Sequence, residues 1–294
     1  MTPDGVRENG WMRMLENGSH LVEVDGYRLH CVVIGSGPPL LVVHGGMGYG
    51  HRGFRPWLDD LGRTRTVIYV DLPGNGESDT PADYEQWNTI DRLSESLHQL
   101  RVALDLDHWS VFGHSFGGYV VQSYAIDHPD DIDALVISCS TSIFDHMDES
   151  LRHARLASET EEQYQVIAAN LFTPKATDEE FDLVTSQVRS AYFADQSLLG
   201  RHVPMPQGGS AAAFNATLRA WEHSDLSDRI GGIAKVPTLV LGGARDWTFP
   251  LDVGARRTHR LIEGSSYHEF ANSGHFPYVE EHDEFIQVVS SWLS

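Results

Sequence analysis

The sequence is poor in basic residues, and in lysine above all. Its 294 residues carry 21 Lys and Arg against 42 Asp and Glu, a formal net charge of −21, and Lys175 and Lys235 are the only lysines. A nucleic-acid binder needs a basic footprint to neutralise phosphates, so no nucleic-acid partner is expected. The scarcity of lysine reads as a compositional bias, not as function. Cysteine is almost missing too. Cys31 and Cys139 both sit in apolar runs and read as buried free thiols of a reducing compartment, which excludes a disulfide scaffold. No stretch reaches the ~18 apolar residues of a membrane span. The opening "MTPDGVRENGWMRMLENGSH" lacks an apolar signal core. These absences predict a cytoplasmic protein with no membrane partner. No histidine pair has metal-ligand spacing of the H-E-x-x-H kind, so neither metal nor cofactor is expected. Internal repeats and low-complexity linkers are lacking as well.

What is present is an ordinary globular chain, 41 % hydrophobic and long enough for one large domain with an insertion. Strand-like and helix-like segments alternate. His20–Asp25 and Tyr27–Ile34 flank Asp25-Gly26, a hairpin signal. Leu40–His44 and Thr66–Val70 are continuous apolar runs, suited to strands buried on both faces. Ile90, Leu93, Leu97, Leu100 and Leu104 recur at three and four and predict one helical face. Strand Trp109–Phe112, helix Phe116–Asp127 and strand Ala134–Ser138 follow. The rhythm resumes with Pro237–Leu241, Ser266–Phe270 and a helix from about Glu281. Such alternation predicts a mostly parallel sheet with helices on both faces. Residues 141–229 break the pattern and look helical and polar. The expected division is a core over 1–140, a helical cap over 141–229 and the rest of the core over 230–294.

Between a strand and a helix stands "GHSFG", with Ser115 flanked by Gly113 and Gly117. A turn that sharp leaves no room for a Cβ at either glycine. It holds the serine hydroxyl at the N-terminus of the next helix, where positive potential favours developing negative charge. Serine is a poor nucleophile without a base and an orienting acid. Of sixteen histidines, His275 in "NSGHFPYVE" follows the last strand and precedes the last helix. His114 lies inside the turn, with its side chain expected to point away from the pocket, and His44 reads as a loop brace. Asp246 in "LGGARDWTFP" follows the preceding strand, so nucleophile, acid and histidine run in the order Ser115, Asp246, His275. "HGGMG" at 44–48 lacks dinucleotide-loop spacing and reads as an oxyanion loop: the N–H groups of Phe116 and Gly46, with Met47 the lesser option, would meet the substrate oxygen.

Together "HGGMG", "VDLPGNGESDTP", "VFGHSFGG", "LVLGGARDWTFP" and the "GH" ending at His275 resemble the α/β-hydrolase fold family, and more narrowly its proline iminopeptidase-like branch. The resemblance spans roughly 20–140 and 230–294. It implies Ser115 as nucleophile, His275 as base, Asp246 as acid, and Gly46 with Phe116 as oxyanion donors. The chain departs from the branch at three places. Met47 stands for its proline, Phe116 for its tryptophan, and Arg189 for the glutamate that precedes a Tyr-Phe pair and holds the substrate's α-amino group.

The expected activity is hydrolysis of a small apolar ester, lactone or amide through an acyl-enzyme. Proline iminopeptidase-type cleavage, carbon–carbon bond hydrolysis or lysis on the same fold, and a non-catalytic ligand receptor are the alternatives. Phe144, Phe172, Tyr192, Phe193 and Trp221 are expected to wall the pocket with Met47. Glu222 and Asp225 are the carboxylates best placed by sequence for a substrate ammonium. The partner is a small-molecule substrate; the oligomeric state is left open.

Overall fold

The computed structural model describes residues 16–170, 172–199 and 208–294. Eight strands form one sheet: β1 (Gly18–Val24), β2 (Tyr27–Gly35), β3 (Pro39–Val43), β4 (Thr66–Val70), β5 (Trp109–His114), β6 (Ile132–Ser138), β7 (Thr238–Gly243) and β8 (Ser266–Phe270), in the order β1-β2-β4-β3-β5-β6-β7-β8. β2 pairs antiparallel with both neighbours, and every other pairing is parallel. The β1–β2 hairpin turns through Asp25 and Gly26, both at positive φ (48° and 86°), the backbone that a two-residue hairpin needs.

The central strands are apolar throughout because both faces are covered. Leu41, Val43 and Val111 belong to the core on one face, while their neighbours Leu40, Val42 and Phe112 belong to the core on the other. Among the helices, α1 (Tyr84–Trp87) is a single turn and α2 (Ile90–Ala103) buries Ile90, Leu93, Leu97 and Leu100. Thr89 caps α2 by accepting the Arg92 N–H. α3 (Phe116–Asp127) is buried at every position from Phe116 to Ala125, the polar Gln122 and Ser123 included, so it shows no single apolar stripe.

Between β6 and β7 lie α4 (Met147–Ala157), α5 (Glu161–Asn170), α6 (Asp178–Val188) and α7 (Ala211–Glu222). α6 and α7 start on Thr177 and Ser210, whose hydroxyls accept main-chain N–H groups of the first turn. These inserted helices have a small core of their own, Ala154, Ile167, Val188 and Ala191, closed by Trp247 from the loop after β7. That contact seats the insertion on the carboxyl ends of the strands. α8 (Ala255–Leu261), α9 (Pro277–Glu280) and α10 (His282–Trp292) complete the chain. Among the described residues no helix is long and apolar enough to cross a membrane.

Candidate active site

Ser115 joins β5 to α3 with φ 55° and ψ −125°, a backbone that costs a non-glycine residue about 1–3 kcal/mol and persists only where its surroundings impose it. The surroundings are specific. A Cβ on Gly117 would lie 2.4 Å from the His44 carbonyl oxygen, and one on Gly113 2.5 Å from that of Gly117. A Cβ on Gly45 would lie 2.6 Å from the Cβ of Ser115 itself. The Ser115 N–H donates to Ser138 O at 2.9 Å, and Ser140 Oγ donates to Ser115 O at 2.7 Å. The turn is thus gripped by β6 on one side and by the loop after β3 on the other. The Ser115 side chain is left at the amino end of α3, 8 % of the residue's surface being exposed.

The loop after β3 is itself braced. His44 Nδ1 lies 2.8 Å from Gly45 O, and its Nε2 accepts the Leu72 N–H at 3.0 Å, as the loop-brace reading expects. Gly46 has φ +58°, and Asn75 Oδ1, from the "GNGES" turn, accepts the Gly48 N–H at 2.8 Å. Met47 is buried in the core and packs there.

Asp246 and His275 meet at 2.8 Å, Oδ2 to Nδ1. The second carboxylate oxygen, Oδ1, accepts the N–H groups of Thr248 (2.8 Å) and Phe249 (3.2 Å). With both oxygens committed, the imidazole carries its proton on Nδ1, and Nε2 is the nitrogen free to accept one. The His275 loop is tied to the β7 loop by Arg245 N–H donating to Ser273 O at 2.9 Å.

Both sequence neighbours of Ser115 reach the surroundings of His275. The His114 ring lies 4.7 Å from the His275 ring, centroid to centroid. Phe116 touches Trp221 (5.2 Å), Trp221 touches Phe249 (5.9 Å), and Phe249 touches His275 (5.8 Å). Phe144 and Phe172 pack on Trp221 at 5.0 and 5.7 Å, and Tyr192 packs on His275 at 5.5 Å. Four of the expected aromatic side chains, Phe144, Phe172, Tyr192 and Trp221, therefore gather around Phe116 and His275. Phe193 packs on Phe276 at 5.1 Å, and Phe276 touches His275 at 5.1 Å, so it reaches His275 at one remove, from the core on the other face of the sheet. Glu222 ends α7 fully on the solvent side, and Asp225 is exposed as well, so neither carboxylate lines the group.

Four residues of the site escape sequence reading. The His114 ring packs on His275 at 4.7 Å, tilted 50° to it. Burial, and then the His275 charge, hold it well below the usual histidine range, so it stays neutral. Cys139 comes within 4.8 Å of ligand atoms of Asp246 and His275, and burial pushes its thiol well up, so it stays protonated. His146 is enclosed by Phe249 (4.8 Å) and Phe144 (5.1 Å) and is lowered to about 4 by burial. Glu280 accepts main-chain N–H groups on both sides of the site. Only Glu280 carries a sequence signal, its place five residues after His275.

Two further clusters bring histidine and aspartate together among the described residues: His30, His51 and Asp71, and His98, His128 and Asp131. In both, a histidine Nδ1 is hydrogen-bonded to the aspartate. The first also contains Ser19 Oγ 2.7 Å from His30 Nε2, which makes a Ser-His-Asp chain. It borders a cleft of about 610 Å³ that contains none of Ser115, Asp246 and His275. Ser19 sits within β1, paired with Val32, and no helix starts there. Asp71 divides its oxygens between His30, His51 and the N–H groups of His51 and Glu77, which is a loop-holding network.

The family model of the α/β hydrolase fold matches residues 38–282. The chain belongs to the α/β-hydrolase family. It is an enzyme of the hydrolase class. Over 286 residues it is 28 % identical to a proline iminopeptidase of Lactobacillus helveticus, covering 91 % of this chain and 95 % of that one. Among solved structures, an α/beta fold family hydrolase from Bacillus anthracis superposes with a TM-score of 0.76 at 19 % identity, covering 93 % of this chain and 98 % of the other. A proline iminopeptidase from Mycobacterium smegmatis superposes with a TM-score of 0.72 at 21 % identity, covering 94 % and 97 %. The branch resemblance of the sequence thus extends to relatives along almost the whole chain.

Proposed function

We propose that this α/β hydrolase is a serine hydrolase in which Ser115 is the nucleophile, His275 the base and Asp246 the orienting acid. The observation that carries the reading is the 2.8 Å Asp246–His275 hydrogen bond, together with a serine held at φ 55° on a helix amino end whose neighbour His114 packs 4.7 Å from the His275 ring. Ser115 Oγ adds to the substrate carbonyl while its proton passes to His275 Nε2. Asp246 keeps Nδ1–H in place and stabilises the imidazolium. The N–H groups of Phe116 and Gly46 take the oxyanion, aided by the amino end of α3. Collapse expels the leaving group, protonated by His275, and leaves an ester on Ser115. Water, deprotonated by the same nitrogen, then releases the acid.

The inserted residues 141–229 form the cap in this reading, over a core of 1–140 and 230–294. Trp221, Phe144, Phe172, Phe249 and Tyr192 make the acyl side apolar, which favours a small apolar ester, lactone or amide. The alternative is aminopeptidase cleavage after an N-terminal proline, suggested by the Lactobacillus relative. It requires a carboxylate beside Ser115 for the substrate ammonium, since an unpartnered buried cation costs several kcal/mol. Glu222 and Asp225 are exposed, and Arg189 is buried at the place of the branch glutamate. These observations weigh toward a neutral or anionic acyl substrate. The test compares p-nitrophenyl butyrate with proline-β-naphthylamide at pH 8. Higher kcat/KM on the butyrate is expected; higher kcat/KM on the naphthylamide returns the protein to the peptidase reading.

A further inference from the structure

Tyr192 to Asp195, in the insertion, runs along Gly274 and His275. The His275 N–H donates to Tyr192 O at 2.8 Å. A Cβ on Gly274 would lie 2.3 Å from the same oxygen, so only glycine lets the two segments approach this closely. The Tyr192 ring covers His275 on one side and Trp247, next to Asp246, on the other, at 5.5 and 5.0 Å. One side chain ties both segments together. Glu280, the last residue of α9, accepts the N–H groups of Ala194 (2.7 Å) and Asp195 (3.1 Å) on Oε1 and that of Gly274 (2.7 Å) on Oε2.

We propose that Glu280 is a positioning residue, a clamp that uses one carboxylate oxygen for the insertion and the other for the His275 loop and so holds the base in register beneath the cap. The inference rests on the triad reading above. An acid is an expensive choice here: burial pushes the Glu280 carboxyl up to about 7, and Asp246 nearby adds to the rise. A carboxylate nevertheless does what an amide cannot. Glutamine has one carbonyl oxygen, and its NH₂ end would face N–H groups, so one side of the clamp opens whichever way the amide turns. Released from Gly274, the His275 N–H still donates to Tyr192 O, but the glycine before it loses its hold, and the next ties up the chain are those of Asn272 and Ser273. A displacement of about 1 Å at a catalytic group costs on the order of 100-fold in rate.

The experiment compares wild-type protein with Glu280→Gln. It reads the rate of Ser115 labelling by a fluorophosphonate, kcat and KM on p-nitrophenyl butyrate, and the His275 Nδ1–H resonance in the NMR spectrum. Labelling and kcat are expected to fall together by roughly 10- to 100-fold, with KM within about threefold and the Nδ1–H resonance shifted or broadened. A Glu280→Gln protein labelled at the wild-type rate overturns the clamp while the triad stands. So does a loss confined to KM with the resonance unmoved. If wild-type Ser115 is not labelled at all, the triad reading fails first, and the two failures are distinct. Should Glu280→Gln not fold, Glu280→Asp takes its place with the same readouts. It keeps the charge and shortens the reach, so one end of the clamp opens.

Discussion

The imidazole of His114 lies 4.7 Å from that of His275, tilted 50° to it, with Phe54, Phe276 and Tyr278 closing the remaining sides. Neither His114 nitrogen has a hydrogen-bond partner among the described residues. The ring works as a neutral packing piece behind His275. His114→Phe is therefore expected to keep the fold and stability, because it removes two unsatisfied nitrogens and retains the shape. His114→Ala opens a cavity against His275 and is expected to cost about 2–4 kcal/mol. Urea unfolding of the two variants checks this: an alanine variant as stable as the phenylalanine one would refute the packing role.

Ser19 is hydrogen-bonded to a His-Asp pair, while Ser115 has the strained turn. Ser115→Ala is expected to lower kcat by on the order of 10⁴-fold or more while leaving the circular dichroism spectrum unchanged. Ser19→Ala is expected to leave kcat within about twofold, since no reacting group depends on it. Ester hydrolysis by both variants decides the assignment; a Ser115→Ala protein with a tenth of wild-type kcat removes Ser115 from the role.

Gly45 has no room for a methyl group. Gly45→Ala drives a Cβ to within 2.6 Å of the Ser115 Cβ and 2.8 Å of His114 O, neither of which can yield without moving the turn. The expected result is a fall in kcat of about 100-fold, as a displacement of about 1 Å would give. Fluorophosphonate labelling of Gly45→Ala at the wild-type rate would show that the Ser115 turn tolerates the displacement.

Two buried groups give stability opposite slopes with pH. His146, lowered to about 4, binds fewer protons folded than unfolded between about 4 and the ordinary histidine value near 6.5. In that window stability falls as pH falls. Glu280, raised to about 7, binds more protons folded than unfolded between the ordinary value near 4.3 and about 7, so its contribution falls as pH rises. Glu280→Gln is expected to make the loss of Tm between pH 6.5 and 5 steeper, because the opposing slope is gone. His146→Phe is expected to make it shallower. Calorimetry of the three proteins across that range tests both signs, and unchanged slopes would contradict these burial effects.

Much of the architecture is local in origin, and the sequence alone determines it. β4 lies on a continuous apolar run and α3 after a Gly-bounded turn, and the α2 face follows from the spacing of Ile90, Leu93, Leu97 and Leu100. Ser115 stands out for the same reason: the strained turn requires glycines two residues to either side of it, and glycines leave a local mark. Asp246 and His275 are legible as loop residues in the right chain order, but their 2.8 Å contact is a product of the β7–β8 pairing. What only the tertiary structure decided is side-chain direction in the long-range contacts. Residues 192 and 193 are neighbours in one aromatic pair, yet Tyr192 packs directly on His275 while Phe193 packs on Phe276, which in turn touches His275. Glu222 shares a helix with Trp221 but faces solvent, because successive helical positions diverge by about 100°. The clamp at Glu280 depends on segments some 80 residues apart meeting around one carboxylate. Such closure comes from packing the insertion onto the sheet, and no periodicity or turn chemistry along the chain encodes it.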